Sequence, residues 1–359
     1  MKKVGILTFH YPENRNFGAS LQSYACMKMI EKRYISTKII NYTAVDFNYS
    51  FKGKIILNLE CKTFREYNRK FLNLTSKVKS EEELQRLNNE IDIFIVGSDQ
   101  VWRPTWSGEN CINPRFYFNF VNKNKKKIAY AASFGVDEWN GDRHLTEEIK
   151  PLIKRFNHIS VREESGIDIC KNTFGIDNAV CVLDPTLMIS REDYQPILDD
   201  WQDKSHLKKK YIAHMLLDDT EELKKGSQNI ADYLRADINY IKGKEKRFLW
   251  RKYFSYNKVS QWLTYLKDAE LVITDSFHCT VFSLIFHKKF VVVTNPKRGV
   301  ARLETLLGKV GLQDRLFTDI KDVMKSGVLD KEIDYKEVDK KLEVHRKYSM
   351  DFLKKALED

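Results

Sequence analysis

The chain has no apolar run approaching the ~18–20 residues of a membrane-spanning helix, which argues against a helical integral membrane protein. Its opening stretch, MKKVGILTFHYPENRNFG, carries an apolar run too short for a secretory h-region. Six cysteines, at 26, 61, 111, 170, 181 and 279, include no CxxC pair. Several fall inside apolar segments, so reduced thiols and a cytoplasmic location are expected. The eight histidines are dispersed and no carboxylates sit at ligand spacing, so no metal centre is expected. There is no GxGxxG phosphate loop and no GxSxG elbow. Internal repeats and low-complexity linkers are also missing, which excludes solenoids and tethered modules.

What remains is a globular composition, 42% hydrophobic and 31% charged. A length of 359 residues exceeds one ordinary core, so two domains are the default. The formal charge of +11 favours acidic partners. Its densest patch, KGKEKRFLWRKYFSYNK (242–258), combines seven basic residues, one acid and five aromatics. It reads as a solvated loop with aromatics packed beneath, or as a contact for a membrane surface or charged polymer. No nucleic-acid motif accompanies it, and no nucleic-acid partner is expected.

Short apolar runs alternate with helical patterns: KVGILTF, a helix over about 19–33, TKIIN, DIFIVGSD, KIAYAAS, HISVRE and AVCVLD. Residues 44–90 are expected to form helices over the sheet edge. The alternation restarts at YIAHMLL and continues through INYI, ELVIT and KFVVV. The expected fold class is α/β, with two Rossmann-like domains facing a cleft. The expected boundaries are 1–187, 188–334 and a charged C-terminal helix, 335–359, for which packing back on the first domain is an expectation. Polar residues cluster just past the strands: Gly97-Ser98-Asp99, Ser133, Arg162, Asp275 to His278, and Asn295 to Lys297. In open parallel sheets that edge binds ligands.

In VITDSFHCTVF, His278 enters the first turn of a helix, where free N–H groups attract anions. A turn histidine beside a packed helix is the competing reading, and Ser276 is equally readable as an N-cap. Lys297, Arg298 and Arg302 follow the next strand and suit a phosphate or carboxylate. Arg162 either serves a ligand or pairs with Glu163 or Glu164. Asn16 and Gly18, in NFGASLQSYA, precede a helix and give a weak phosphate- or sugar-binding signal. Asp99, Gln100 and Trp102, in GSDQVWRP, form a set common where sugars bind; a capped turn over a buried indole is the alternative.

Taken in order, NFGASLQSYA, GSDQVWRP, AYAASFG, SVREESG, LDPT, the run from SQWLTYL to KKFVVV, and RLETLL resemble the bacterial polysaccharide pyruvyl transferase family, over roughly residues 3–315. That resemblance implies a glycosyltransferase-B-type fold and transfer of pyruvyl from phosphoenolpyruvate to a sugar as a ketal. It implies phosphoenolpyruvate as co-substrate, with no further cofactor, gripped by Arg162, His278 and Lys297. His278 is the expected proton donor, and Ser133, Ser276, Arg298 and Arg302 are expected beside the donor. The acceptor, for which a lipid-linked oligosaccharide is one candidate, is expected against Asn16, Gly18, Asp99, Gln100 and Trp102. Some members carry arginine where this chain has Ser276, and glycine where it has Cys279; Arg298 or Arg302 then supplies the cation. The alternatives are a glycosyltransferase using a nucleotide-sugar donor, and a catalytically silent sugar-binding protein.

Overall fold

The computed structural model describes residues 2–32, 36–43, 50–106, 109–110, 114–203, 205, 209–249, 251–295 and 299–359. Two parallel sheets organise them. The first has strands β1 (Val4–Leu7), β2 (Thr37–Ile39), β3 (Ile93–Val96), β4 (Lys126–Ala132), β5 (His158–Val161) and β6 (Val180–Cys181), in spatial order β2-β1-β3-β4-β5-β6. The second is built from β7 (Tyr211–Met215), β8 (Asp237–Tyr240), β11 (Leu271–Thr274), β12 (Lys289–Val293) and β13 (Leu316–Phe317), in order β8-β7-β11-β12-β13. An antiparallel ribbon, β9 (Gly243–Phe248) with β10 (Arg251–Tyr256), stands apart from both. Strands such as VGIL, IFIV and LVIT are buried along their whole length. This is why they read as unbroken apolar runs rather than alternating ones.

The helices of nine or more residues are α1 (Phe17–Glu31), α2 (Phe51–Glu60), α3 (Lys62–Phe71), α4 (Arg143–Ile153), α5 (Glu164–Phe174), α6 (Glu221–Leu234), α7 (Val259–Asp268), α8 (Phe277–Ile285), α9 (Ala301–Val310) and α10 (Tyr335–Glu358). Both sheets start a new direction beside their first strand: β1 lies between β2 and β3, and β7 between β8 and β11. A crevice opens at the carboxyl end of the strands at such a switch point. The molecule therefore carries two crevices, and α1 and α8 begin in them.

Those two helices are buried nearly all round, as suits helices packed between layers. One core cluster runs through both, from Phe17, Tyr24 and Tyr130 to Trp262, Phe282 and Leu353. Phe17 of α1 stacks on Trp262 of α7 with ring centroids 5.2 Å apart and planes 4° apart. The long helix α10 returns to the first sheet. Leu183 N donates to Ser349 Oγ at 2.9 Å, and Arg346 Nε donates to Leu187 O at 2.7 Å.

The basic stretch differs from its favoured sequence reading. It is the β9–β10 ribbon rather than a loop, and Phe254 and Tyr256 pack inward while the first strand is exposed. Among the described residues, no helix is long and apolar enough to cross a membrane.

Candidate active site

The two crevices face each other and enclose a cavity of about 270 Å³. The loops after β1 and β3 reach it from one side, with Asn16, Gly18, Asp99 and Gln100. The loop after β11 and the start of α9 reach it from the other, with Ser276, His278 and Arg302.

Behind its wall, in contact with His278 but not itself lining the cavity, Asp184, which follows β6, is where three loops converge. Asp184 Oδ2 accepts from Arg162 Nη1 at 2.8 Å and from Ser98 Oγ at 2.8 Å. Its Oδ1 accepts from Thr186 N at 3.0 Å and Thr186 Oγ1 at 2.5 Å. Nε2 of His278, arriving from the other half, lies 3.6 Å from Oδ2, an ion-pair distance too long for a hydrogen bond. Burial would push the carboxyl of Asp184 up. The neighbouring His278, the Arg162 charge and the Thr186 hydroxyl more than offset this and hold it well below the usual carboxylate range.

Arg162 is 3% exposed. Its guanidinium lies 4.4 Å from the Phe277 ring centroid and 3.6 Å from Asp99 Oδ1. Burial opposes its charge, but Asp184 and Asp99 outweigh that and raise its pKa above the ordinary arginine value. Nε and Nη2 have no hydrogen-bond acceptor among the described residues. A second guanidinium, Arg302, lines the cavity, whereas Arg162 lies behind its wall; burial and then the like charge of Arg162 bring Arg302 down to about 10. A desolvated guanidinium lining a cleft, with a second just behind it, suits an anion.

Glu163, adjacent to Arg162, turns the other way. Its Oε1 accepts from Ser133 Oγ at 3.0 Å, Phe134 N at 2.8 Å and Gly135 N at 3.3 Å. Burial pushes its carboxyl up. The pairing of Arg162 with Glu163 or Glu164 considered from sequence is replaced by the pairing with Asp184.

His278 sits in the first turn of α8 and is 6% exposed. Ser276 holds the N-cap position with no side-chain cap bond, so the first turn opens on the cavity uncapped. Gly18 is the surface on which the imidazole rests. A Cβ at residue 18 would stand 2.2 Å from His278 Nδ1, so only glycine leaves room for the ring. Asn16 caps α1, accepting from Ala19 N at 3.1 Å, and also lines the cavity. Asp99 and Gln100 line it too, though Gln100 Oε1 accepts from Arg103 Nη1 at 2.7 Å.

Two expected site residues lie elsewhere. Trp102 is fully buried and stacks on Tyr117 at 5.2 Å, donating from Nε1 to Phe116 O at 3.2 Å. No face of it is left for a sugar. Ser133 is also fully buried and its hydroxyl is spent on Glu163, so it does not reach a donor. Lys297 and Arg298 lie outside the described residues. Sequence reasoning placed none of Asp184, Arg15, Arg103 and Lys242 in the site, although the last three line the cavity. For Asp184 the signal was its place directly after a strand, as for Asp99 and Asp275.

Solved structures sharing this architecture include UDP-N-acetylglucosamine 2-epimerases. The Staphylococcus aureus MnaA–UDP structure is 14% identical, with a TM-score of 0.53, covering 94% of this chain and 91% of that one. The Neisseria meningitidis UDP-GlcNAc 2-epimerase bound to UDP-GlcNAc is 11% identical, with a TM-score of 0.51 and coverage of 99% and 100%. The Rickettsia bellii enzyme is 11% identical, with a TM-score of 0.53 and coverage of 98% and 96%. At such identities the likeness is one of fold, and it supports the two-domain, glycosyltransferase-B-type class. No curated protein matches the chain. The family model described as polysaccharide pyruvyl transferase matches residues 16–297, a span that starts at the Asn16 cap and holds Arg162, Asp184 and His278. By that match, over more than half its length, the chain belongs to the polysaccharide pyruvyl transferase family.

Proposed function

We propose that the cleft transfers a pyruvyl group from phosphoenolpyruvate to two hydroxyls of one sugar, forming a ketal and releasing phosphate. The observation that carries this reading is the meeting of Arg162 and His278 at Asp184, with Arg302 beside them. Phosphoenolpyruvate presents a carboxylate and a phosphate on one small skeleton, and two buried guanidiniums suit both. The uncapped start of α8 adds N–H donors for a phosphate oxygen.

In this reading His278 delivers a proton to the methylene carbon of the donor, and the neighbouring carbon becomes an oxocarbenium. One sugar hydroxyl adds there and loses its proton. Phosphate then departs with the C–O bonding pair, and the second hydroxyl adds and loses its proton, closing the ketal. Asp184 is a positioning residue: it fixes the imidazole on one side as Gly18 supports it on the other. Asn16, Asp99 and Gln100 provide polar contacts for the acceptor. The sugar belongs to a cell-surface polysaccharide precursor, assembled in the cytoplasm. The described cysteines, all buried and unpaired, fit a reducing compartment.

A second reading, transfer from a nucleotide sugar, draws on the fold neighbours whose structures contain UDP or UDP-GlcNAc. A thermal-shift comparison separates the two. A ligand at ~100 times its dissociation constant adds ~2.7 kcal/mol to stability. Phosphoenolpyruvate is expected to raise the melting temperature and UDP-sugars to leave it unchanged; the reverse result favours the second reading.

A further inference from the structure

The basic ribbon is not used by the chemistry above. β9 and β10 pair only with each other, and all of β9 after Gly243 is exposed. A two-stranded ribbon alone is marginal in water. This one leans on α2: Phe254 N donates to Glu60 Oε1 at 3.1 Å, and Arg251 and Lys252 share a groove with Gly53, Ile56 and Leu57. The two elements therefore run side by side. Stepping from Phe254 to Arg251 covers about 10 Å of strand, and from Glu60 to Gly53 about 10 Å of helix. The start of α2 and the turn of the ribbon thus lie at the same end.

That end collects exposed apolar side chains. Phe248 and Leu249 at the turn are 43% and 71% exposed, and Phe51 and Ile55 on α2 are 80% and 36% exposed. Among the described residues nine large hydrophobics are this exposed, and four of them are these. The ribbon surrounds them with five exposed cations against one carboxylate, Glu245, and α2 adds Lys52 and Lys54. The groove beneath includes Arg15, which also lines the catalytic cavity.

We propose that this end of the molecule docks on an anionic lipid bilayer. Phe248, Leu249 and Phe51 enter the headgroup layer while the surrounding lysines and arginines bind lipid phosphates. Its apolar side chains stand exposed on a turn and a helix start, which suits insertion better than the concave track a single-stranded nucleic acid follows. Docking sets the mouth of the cleft beside the bilayer, within reach of an acceptor carried on a lipid. This holds whether the donor is phosphoenolpyruvate or a nucleotide sugar.

The test is co-sedimentation of the full chain with vesicles of phosphatidylcholine alone and of equimolar phosphatidylcholine and phosphatidylglycerol. Binding is expected only to the anionic vesicles. The double variant Phe248→Ser, Leu249→Ser should weaken it by ~10-fold, and Lys246→Ser, Arg247→Ser by a similar factor. Val344→Ser, an exposed apolar residue on α10, should leave it unchanged. All these side chains are exposed, and an unchanged melting temperature verifies that each variant folds. Absence of vesicle binding, full binding by the Phe248/Leu249 variant, or equal loss in Val344→Ser overturns the proposal. So does tight binding to duplex DNA without vesicle binding.

Discussion

Gly18 and His278 come from opposite halves of the molecule and meet so closely that a Cβ on the first would stand 2.2 Å from Nδ1 of the second. Glycine in the first turn of α1 is therefore a requirement of the imidazole across the cleft. Gly18→Ala should destabilise the protein by ~1–3 kcal/mol, the usual range for an overpacked site, and lower turnover by displacing the ring. In a His278→Ala background the same change should be close to neutral. A double-mutant cycle on melting and activity checks this; an equal cost in both backgrounds would separate Gly18 from His278.

His278 and Arg162 are assigned different work, and their variants should differ in kind. His278→Asn keeps a polar group in the first turn of α8 but cannot protonate carbon. Its turnover should fall by ~10²–10⁴ with donor binding largely kept. Arg162→Lys keeps the charge beside Asp184 and loses the planar fork, so donor binding should weaken by ~10–100-fold. Steady-state kinetics with phosphoenolpyruvate as the varied substrate read both. Loss of donor binding in His278→Asn, with turnover kept at saturation, would make the histidine an anion ligand only.

Trp102→Ala should unfold the protein more readily without a selective effect on acceptor KM. The indole is fully buried against Tyr117, Phe134 and Phe156. Removing such a ring costs ~3–5 kcal/mol. Chemical denaturation measures the loss. A stable variant with a raised acceptor KM would return Trp102 to the sugar site.

His214 supplies a pH dependence. Burial, with Lys224 as a lesser cause, brings its imidazole down to about 4. Folded protein therefore stays unprotonated between pH 6.5 and 4, while the unfolded chain takes up a proton. The stability is fully present above pH 6.5 and is lost as pH falls toward 4, by at most about 3 kcal/mol. Melting curves across that window should show a drop that His214→Phe reduces. An identical slope in the variant would assign the acid sensitivity to other groups.

Much of this was legible in the sequence because parallel strands buried on both faces read as continuous apolar runs. LVIT and IFIV fall where ELVIT and DIFIV place them, and the polar residues past them do line the cleft. Trp102 was not decidable locally. A turn carrying Asp, Gln and Trp fits a sugar platform or a core indole, and Tyr117 settles it by stacking on the ring. The ribbon escaped because β9 is exposed on both faces, so no alternation marks it. Asp184 escaped for another reason. Its partners Ser98, Arg162 and His278 arrive on three separate loops, and only the folded topology joins them.

The return of α10 to the first sheet has a mechanical consequence. The chain passes between the halves after β6 and again along α10, whose Tyr335 and Asp339 hold the second half while Arg346 binds Leu187 near the first passage. Two covalent spans held side by side act as a door hinge with two pins. Swivelling one half on the other would wind the spans together, whereas swinging about the line through them bends each only slightly. Any opening of the cleft is then a one-axis swing, and closing returns His278 to Asp184 rather than to a neighbouring carboxylate such as Asp99.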